Sequence, residues 1–561
     1  MSHAAFLNTI REHPDADLPR LVFADYLDEN GDPARAEFIR LQCELASLLD
    51  HDPRFRPLED REHELLSEHE PAWAGELPRY ATEWEWRRGF IESVGGTRSQ
   101  LDNLDSLTSE GQPINHVRCI GGIGDQDSAF TGWIGSEWPA RMSHLDMGGC
   151  TFVPDHFQEF LAQTPLPNLR GIDLSNTPSE GDFCDYFWHS PLRGRLSSLS
   201  AGPRNPNDFS AIWFLEAFSQ APLESLAVFN CGVTSEGEFG DLRTLLADNW
   251  AESLTHLDIS GNPLAPDAYR AFADAHPTLR LESLDVSGTP LAGISLEPLL
   301  DTRATESLTK LEMNGYGSAR RNMEVLSRSR FWTQATHLRA HSGTIPASTL
   351  EPLCGSSGPP ALRLLDLADN YLRTEGVRML CDAPWSESLT WLALSRNYLD
   401  DDACRALANS RLRNLRTLHL AHNDLRQNLS NGELITDIGV SWLTDSPTLA
   451  NLRLVTLSYT GISDRAVDLV LNRAAWRLFG LGIAGNNLTG EAVRVLATSP
   501  RLSRLSWLDV SGNPRLGGRV LLPLAESPYL SRLCELDCGG IPLADEVRAA
   551  FRERLGPRFS D

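Results

Sequence analysis

Large apolar residues recur along the chain in one phrase: Leu362, Leu365, Leu367 and Leu372, then Leu389, Leu392, Leu394 and Leu399, then Leu415, Leu418, Leu420 and Leu425. One polar residue interrupts each phrase at the same place: Asn370, Asn397 and Asn423. Leu365 and Leu392 stand 27 residues apart, and a fixed period of that size marks an array of stacked units. Leu365 and Leu367 are two apart, so both face one side of a short strand while Asp366 faces the other. Leu362 and Leu372 fill the bends on either side. Asn370 falls where the chain leaves the strand and backbone groups would otherwise lack partners. After it, Val377, Leu380 and Cys381 share one helical face, which predicts a helix as the second half of the unit.

This phrase resembles the leucine-rich repeat family, in the longer subtype that includes the ribonuclease inhibitor. The resemblance covers the last five-sixths of the chain. It implies an α/β solenoid over residues 81–561, a horseshoe with parallel strands on the concave face and helices on the convex face. It also implies that the recurring Asn side chains bond neighbouring turns as a ladder. The central inward residues run from Val117, Leu145 and Ile172 to Leu508 and Leu536, about 15–16 units in all. The step from Leu418 to Val455 is 37 residues and holds an insertion around 426–435. Asn262, Asn486 and Asn513 also occupy the ladder, where Thr177, Thr289 and Thr460 or Cys150 and Cys231 replace Asn elsewhere. The unit at 196–204 is weak, with Ala201 inward and Arg204 at the ladder. Strands stack about 4.8 Å apart and helices about 8–10 Å apart, so the array bends by about 0.3–0.4 radian per unit. A lone unit cannot fold, so both ends need covers. The last is expected at Asp545–Leu555.

Residues 1 to about 80 lack the repeat and read as a small all-α domain. Phe6, Leu7 and Ile10 form one stripe, and Leu18 to Leu27 a second. A third helix opens with Asp32 as cap and Pro33 in first place, and alternating charges around Leu65 and Leu66 suggest a fourth. The run from Phe6 to Gln42 resembles the repeat-companion domain that precedes repeat arrays in certain environmental bacteria, which implies a bacterial, cytoplasmic repeat protein. Asp25, Asp28, Glu29, Asp32 and Arg35 are expected to be caps and solvated surface pairs. Trp84, Trp86 and Phe90–Val94 read as the first strand. His63 and His69 mimic a zinc-protease helix, but they are six apart, on different faces.

Charge narrows the function classes. The net charge is −26 over 561 residues, which argues against nucleic acid as partner, since phosphate backbones need a basic surface. Lys310 is the one lysine, so a P-loop lysine is excluded. No apolar run is long enough to cross a membrane and no signal peptide precedes the first helix, so a cytoplasmic monomer with no membrane contact is expected. The Cys residues fall at inward, ladder and helix-face positions, as small buried hydrophobes of a reducing compartment do. Asn428–Ser430 and Asn487–Thr489 match the glycosylation pattern by chance.

No catalytic constellation emerges. Gly355–Pro359 lacks the last glycine of a nucleophile elbow, Cys534 and Cys538 flank a strand, and Gly121–Gly124 is a repeat loop. No cofactor or metal site is expected. The outward strand positions would line the concave wall, where the family binds its partners. Asp258, Asp285 and Glu312 are consecutive acids on that row, with Asp366 further on. Leu-Asp-Leu-Ser is also a common repeat spelling. Lys310, His337, Arg339 and His341 border the acids, His419 shares their row, and Trp391 and Trp507 face outward. These eleven residues are the candidate contacts for a protein partner with a basic patch. The expected function is a non-catalytic interaction scaffold. The alternative is a GTPase-activating type of regulator, a role found on the same repeat subtype, for which Arg373 and Arg396 are the candidate loop residues.

Overall fold

The structure, a computed structural model, describes residues 3–48, 54–102, 104, 112–120, 130, 132–150, 154–177, 190–203, 218, 221–231, 233, 242–247, 252–264, 268–289, 296–300, 302–315, 320–359, 361–423, 434–555 and 559. The Gly121–Gly124 loop, Arg204, Asn428–Ser430 and all of the 426–435 insertion except its last two residues lie outside them. The chain forms two compact units, Met1–Gly232 and Val233–Asp561.

The first unit begins with four helices: α1 (His3–Glu12), α2 (Asp17–Glu29), α3 (Pro33–Ser47) and α4 (Phe55–Ala74). The Asp32 side chain accepts the Arg35 N–H at 3.1 Å and caps α3, with Pro33 in its first turn. Asp25 and Asp28 pair with Arg40 on the surface at 2.7 and 2.6 Å. Arg35 departs from expectation. It is 7% exposed, with its guanidinium carbon 4.6 Å from the Trp86 ring centre and 4.8 Å from that of Trp73. Burial pushes it down to about 9, and the surrounding ring faces offset part of that desolvation.

The single strand expected across Trp84–Val94 is an antiparallel hairpin, β1 (Glu83–Arg87) and β2 (Phe90–Gly96). Its turn needs left-handed backbone at Arg88 (φ 47°) and Gly89 (φ 89°). A Cβ on Gly89 would lie 2.4 Å from Ile39 Cγ1, so only glycine lets the turn rest on α3. Phe90 joins Leu7, Ile10, Phe23 and Ile39 in one core, which fastens the helices to the hairpin. From β2 onward the strands are parallel: β3 (His116–Cys119), β4 (His144–Asp146), β5 (Gly171–Thr177), β6 (Ser198–Pro203) and β7 (Ser225–Val228). The weakly spelled unit forms a six-residue strand, β6, with Leu199 and Ala201 buried as expected.

The second unit is a leucine-rich repeat solenoid. Its strands are β8 (His256–Asp258), β9 (Ser283–Asp285), β10 (Lys310–Glu312), β11 (His337–Arg339), β12 (Leu364–Asp366), β13 (Trp391–Ala393), β14 (Thr417–His419), β15 (Leu454–Thr456), β16 (Gly480–Gly482), β17 (Trp507–Asp509) and β18 (Glu535–Asp537). All pair in parallel with their sequence neighbours, central residue against central residue, as Leu365 does with Leu338 and Leu392. Those central residues are buried, and so are Leu362 and Leu372 at the bends. Helices complete the later units, as at Arg373–Asp382, whose Val377, Leu380 and Cys381 face inward. In earlier units the described residues include a 3₁₀ turn at Ala268–Phe272 and a four-residue helix at Glu297–Leu300.

Two ladders tie unit to unit. Asn370 accepts from the N–H groups of Gly343 and Ile345 in the preceding unit at 3.0 and 2.9 Å, and donates to Ala340 and Leu367 carbonyls at 3.0 and 2.9 Å. Asn397, Asn423, Asn486 and Asn513 repeat the arrangement. A second ladder runs along the helix starts. Asp437 accepts both the N–H and the hydroxyl of Ser463, the cap of the next helix, at 2.9 and 2.6 Å. Asp401 does the same to Thr436, and Asp464 to Thr489. The final helix, Asp545–Leu555, buries Val547, Phe551 and Leu555, and Arg554 bonds the carbonyls of Leu524, Ala525 and Ser527. No helix among the described residues is long and apolar enough to cross a membrane.

Candidate functional site: the open face of the second unit

Residues on either side of each buried central residue point away from the helices and form the open face of the sheet. Parallel pairing places Asp258, Asp285, Glu312, Arg339, Asp366, Ala393 and His419 side by side in one row, and Lys310, His337, Leu364 and Trp391 in another.

The common Asp of that row has a structural role. Asp258, Asp285, Asp366 and Asp509 each accept the backbone N–H two residues on, at 2.7–3.0 Å. Asp146, Asp173 and Asp537 do likewise. Each closes an Asx turn that satisfies the backbone where the strand ends. Asp366 is only 7% exposed, so it supplies charge to the face rather than contact. Burial pushes the Asp258 and Asp285 carboxyls above their ordinary range, with repulsion from Asp285 on Asp258 and from Glu312 on Asp285 adding to it.

Six units place a different residue there, Gly482 of β16 among them. The other five, Glu312, Arg339, Ala393, His419 and Thr456, follow their central residues in place of Asp. Here the side chains engage one another. Arg339 Nε lies 3.5 Å from Glu312 Oε1, and its guanidinium carbon 5.8 Å from the Trp391 ring centre. Trp391 and His419 rings are 5.1 Å apart, and His419 Nδ1 meets Thr456 Oγ1 at 3.2 Å. Burial pushes the His419 imidazole below its usual value, with Asp366 opposing. Glu312, Arg339, Trp391 and His419 therefore form one layered cluster across β10–β14. Lys310 is exposed beside it, His337 bonds Thr336, and His341 bonds Ser342. Trp507 stands apart, with its ring over β16. A Cβ on Gly480 or Gly482 would lie 3.1 Å from it.

A second feature is not apparent from the repeat phrase. The residue before the ladder position is left-handed in unit after unit. It is glycine at Gly261, Gly288, Gly315, Gly485, Gly512 and Gly540, but Ser342, Asp369, Arg396, His422 and Tyr459 hold φ between 51° and 56°. Each such non-glycine residue costs about 1 kcal/mol. Their side chains interact: Ser342 donates to Asp369 at 2.8 Å, and His422 stacks on Tyr459 at 4.2 Å. Tyr371 stacks on Tyr398 alongside, at 5.4 Å. The missing glycines were the readable signal. Arg373 and Arg396 are both exposed and left-handed, Arg396 between strand and helix and Arg373 at the first position of its helix.

Several sequence motifs resolve into structure. The Ser356 hydroxyl donates to Leu353 O and accepts from Trp332 Nε1, closing a helix end. Thr489 caps a helix. Trp385 is buried at a helix end and bonds Leu353 O.

No protein-family model matches the chain, and no curated protein matches it. Solved structures do. A leucine-rich repeat protein of Leptospira interrogans is similar at 15% identity, covering 82% of this chain and 98% of that one, with a TM-score of 0.34. The TLR13–ssRNA13 complex is similar at 16% identity over 83% and 68%, TM-score 0.40. The mouse RP105/MD-1 complex follows at 14% over 84% and 90%, TM-score 0.36. Likeness at this level carries no statement about partner or activity.

Proposed function

We propose that the chain is a non-catalytic protein–protein interaction scaffold, a cytoplasmic one, that takes a protein partner on the open face of β8–β17. The observation that carries this is a coincidence of two departures. The units that replace the turn-closing Asp are largely the units that keep a costly side chain at the left-handed position. A repeat optimised for stability alone would hold Asp in the first place and glycine in the second. Among the residues kept instead, Arg339, Arg396, His419, His422 and Tyr459 are aromatic or planar and cationic, and Trp391 adjoins them; these types are enriched where interfaces gain most of their affinity.

The acids at Asp258, Asp285 and Glu312 continue the face at one end. Among the described residues Glu312 alone of the three forms an ion pair, with Arg339, so this end suits the basic patch of a protein partner and steers its approach. The head-to-array division near residue 80, the companion-domain resemblance, the ribonuclease-inhibitor-like subtype and a bacterial, monomeric protein belong to the same proposal. The burial of Cys43, Cys119, Cys150, Cys231, Cys354, Cys381, Cys404 and Cys538 supports a reducing compartment.

The test uses the single lysine. An amine-directed crosslinker reports from Lys310, on β10 beside Glu312, and peptide mapping identifies what it reaches. Partner crosslinks at Lys310 should vanish in Trp391→Ala and Arg339→Ala. They should weaken, with a shallower salt dependence, in Asp258→Asn, Asp285→Asn, Glu312→Gln. Asn keeps the oxygen that closes the turn, so that variant changes charge and not shape. Crosslinks unchanged in all three variants would refute the assignment of the face. GTP turnover by a captured GTPase that falls in Arg373→Ala or Arg396→Ala would select the regulator instead.

A further inference from the structure

The first unit holds a cleft of about 950 Å³, built from residues other than those of the face described above. One wall is α1 and the turn after it. The other is the open face of β1–β5 with the residues leading into those strands. In a chain of net charge −26 this cleft gathers cations: Arg11, Arg87, Arg141 and Arg170, with His116 and His144 between the strands.

The cations crowd each other. The Arg11 guanidinium is held below its usual range by burial and then by Arg141. His116 and His144 stack with ring centres 5.1 Å apart. Burial depresses both, Arg87 adds to it, and His116 further lowers His144. Four carboxylates also line the cleft: Glu92 is buried in an ion pair with Arg20 and lies 4.0 Å from Arg87, Asp15 reaches Arg87 at 3.8 Å with its side chain 82% exposed, and Glu12 and Glu85 are exposed at the rim.

The imidazoles are also presented. Ser143 Oγ holds His144 Nδ1 at 2.9 Å, while His144 Nε2 and both His116 nitrogens bond no described residue. A Cβ on Gly171 would lie 2.1 Å from His144 Cδ2, so glycine is what lets the ring lie over β5. Carbonyls of Pro167 and Leu169 anchor Arg170 at 3.2 and 3.0 Å.

We propose that this cleft binds a small molecule carrying a doubly charged oxyanion, with a phosphate monoester as the fitting class. Guanidinium forks match phosphate oxygens two at a time, and imidazole N–H groups supply further donors. A dianion relieves both the Arg11–Arg141 and the His116–His144 crowding, whereas a single carboxylate relieves one. The volume lies in the range of small-ligand sites. The exposed acids Glu12, Asp15 and Glu85 repel a long polyanion.

The test is calorimetric titration of the full chain, at fixed ionic strength, with inorganic phosphate, phosphoserine, acetate and a single-stranded RNA oligonucleotide. Phosphate and phosphoserine should saturate at one per chain, with acetate at least tenfold weaker. Arg141→Gln and His144→Gln should each lower phosphoserine affinity tenfold or more with an unchanged melting temperature. Should Arg141→Gln fail to fold, Arg170→Gln on the rigid wall serves instead. Proton NMR with 13C-labelled histidine gives the independent reading. Phosphate should raise the titration midpoints of His116 and His144, which face Arg87 and Glu85 of β1, Glu92 of β2, Arg118 of β3, and Asp15, Arg141 and Arg170 at the rim. Non-saturating heats, equal binding of acetate, tighter binding of the RNA, or unmoved histidine signals would each overturn the proposal.

Discussion

Replacing Asn370 with Ala should open the array locally at a cost of about 3–5 kcal/mol. Asn370 is 1% exposed and serves two units at once. Its oxygen is the acceptor for the buried Gly343 and Ile345 N–H groups at 3.0 and 2.9 Å. Stranding a buried donor costs about 1–3 kcal/mol, so the two together account for roughly 2–6 kcal/mol, and the lost amide donors add up to about 1 kcal/mol more. Asn370→Thr provides the internal control. At Thr289 and Thr460 the hydroxyl donates to the carbonyl three residues back, at 3.0 and 2.8 Å. A threonine in place of Asn370 would therefore keep the bond within its own turn while losing the reach to the preceding unit. It should recover about 1 kcal/mol, one hydrogen bond, and no more. Nearest-neighbour coupling makes global unfolding a poor readout of such a change. Amide exchange at Gly343 and Ile345 reads it directly, and 3 kcal/mol corresponds to a loss of protection of roughly a hundredfold. Amides beyond Leu481 should stay within threefold. If Asn370→Ala leaves residues 343 and 345 within threefold of the parent chain, the ladder stabilises nothing and leucine packing alone joins the units.

Three further outcomes follow from the same structure. Asp437→Ala removes both acceptors of Ser463 and should cost about 2–3 kcal/mol, seen as faster exchange over 463–467, while Asp437→Asn retains one acceptor and costs less; equal effects would deny the bidentate geometry. Asp258 and Asp285 titrate above the ordinary value of 3.8 in the native state, so the native state binds protons more readily than the unfolded one. Their contribution to stability then falls as pH climbs from about 4 through the raised values. Asp258→Asn with Asp285→Asn should flatten that part of the stability–pH curve and leave the protein at least as stable at pH 7; an unchanged slope refutes the burial argument. Burial pushes the Cys43, Cys354 and Cys381 thiols up to about 12, so mapped thiol labelling at pH 8 should find half-exposed Cys534 fastest of the nine described cysteines and those three limited by opening of the fold.

The strand half of each unit was readable because its inward positions leave little choice. Leu365 and Leu367 must be large and apolar, and Asn370 must carry both an acceptor and a donor, so identity reports position. The helix half was less readable. At Ala268–Phe272 the described residues form a 3₁₀ turn with Tyr269 and Phe272 buried, where the repeat phrase led to an expected α-helix. The hairpin at β1–β2 was missed for a related reason. Arg88–Gly89 is a two-residue turn, and the apolar residues on both sides read as one continuous strand. Arg35 was placed on the surface by its charge, although four aromatic residues, Phe38, Trp73, Trp86 and Phe90, enclose it. Those partners come from 3 to 55 positions further along the chain, where spacing along one helix is silent. The Asp437–Ser463 ladder had a signal, the recurring Thr-Asp and Ser-Asp pairs at helix starts, but its meaning lies in the neighbouring unit.

The Asp row changes what an acidic spelling on a repeat face can be taken to mean. A carboxylate that closes its own Asx turn is retained for the turn whether or not anything docks against it. Seven such residues, among them Asp146, Asp173 and Asp537, accept the same backbone N–H, so their charge alone argues little about a partner. Glu312 differs. Its longer side chain makes no such turn, and the Asn314 N–H goes instead to Ser287 Oγ at 3.0 Å, which frees the carboxylate to meet Arg339. The informative positions are those where the turn has been given up or the glycine has been replaced. Both changes cost stability that the remaining packing must offset. Counting acids would centre the face on Asp258 and Asp285, whereas weighing these costs moves its centre to the units of Arg339, Ala393 and His419, where Trp391 also stands. The variants Trp391→Ala and Asp258→Asn with Asp285→Asn therefore rank the two arguments against each other, and the first should weaken capture of a partner more than the second.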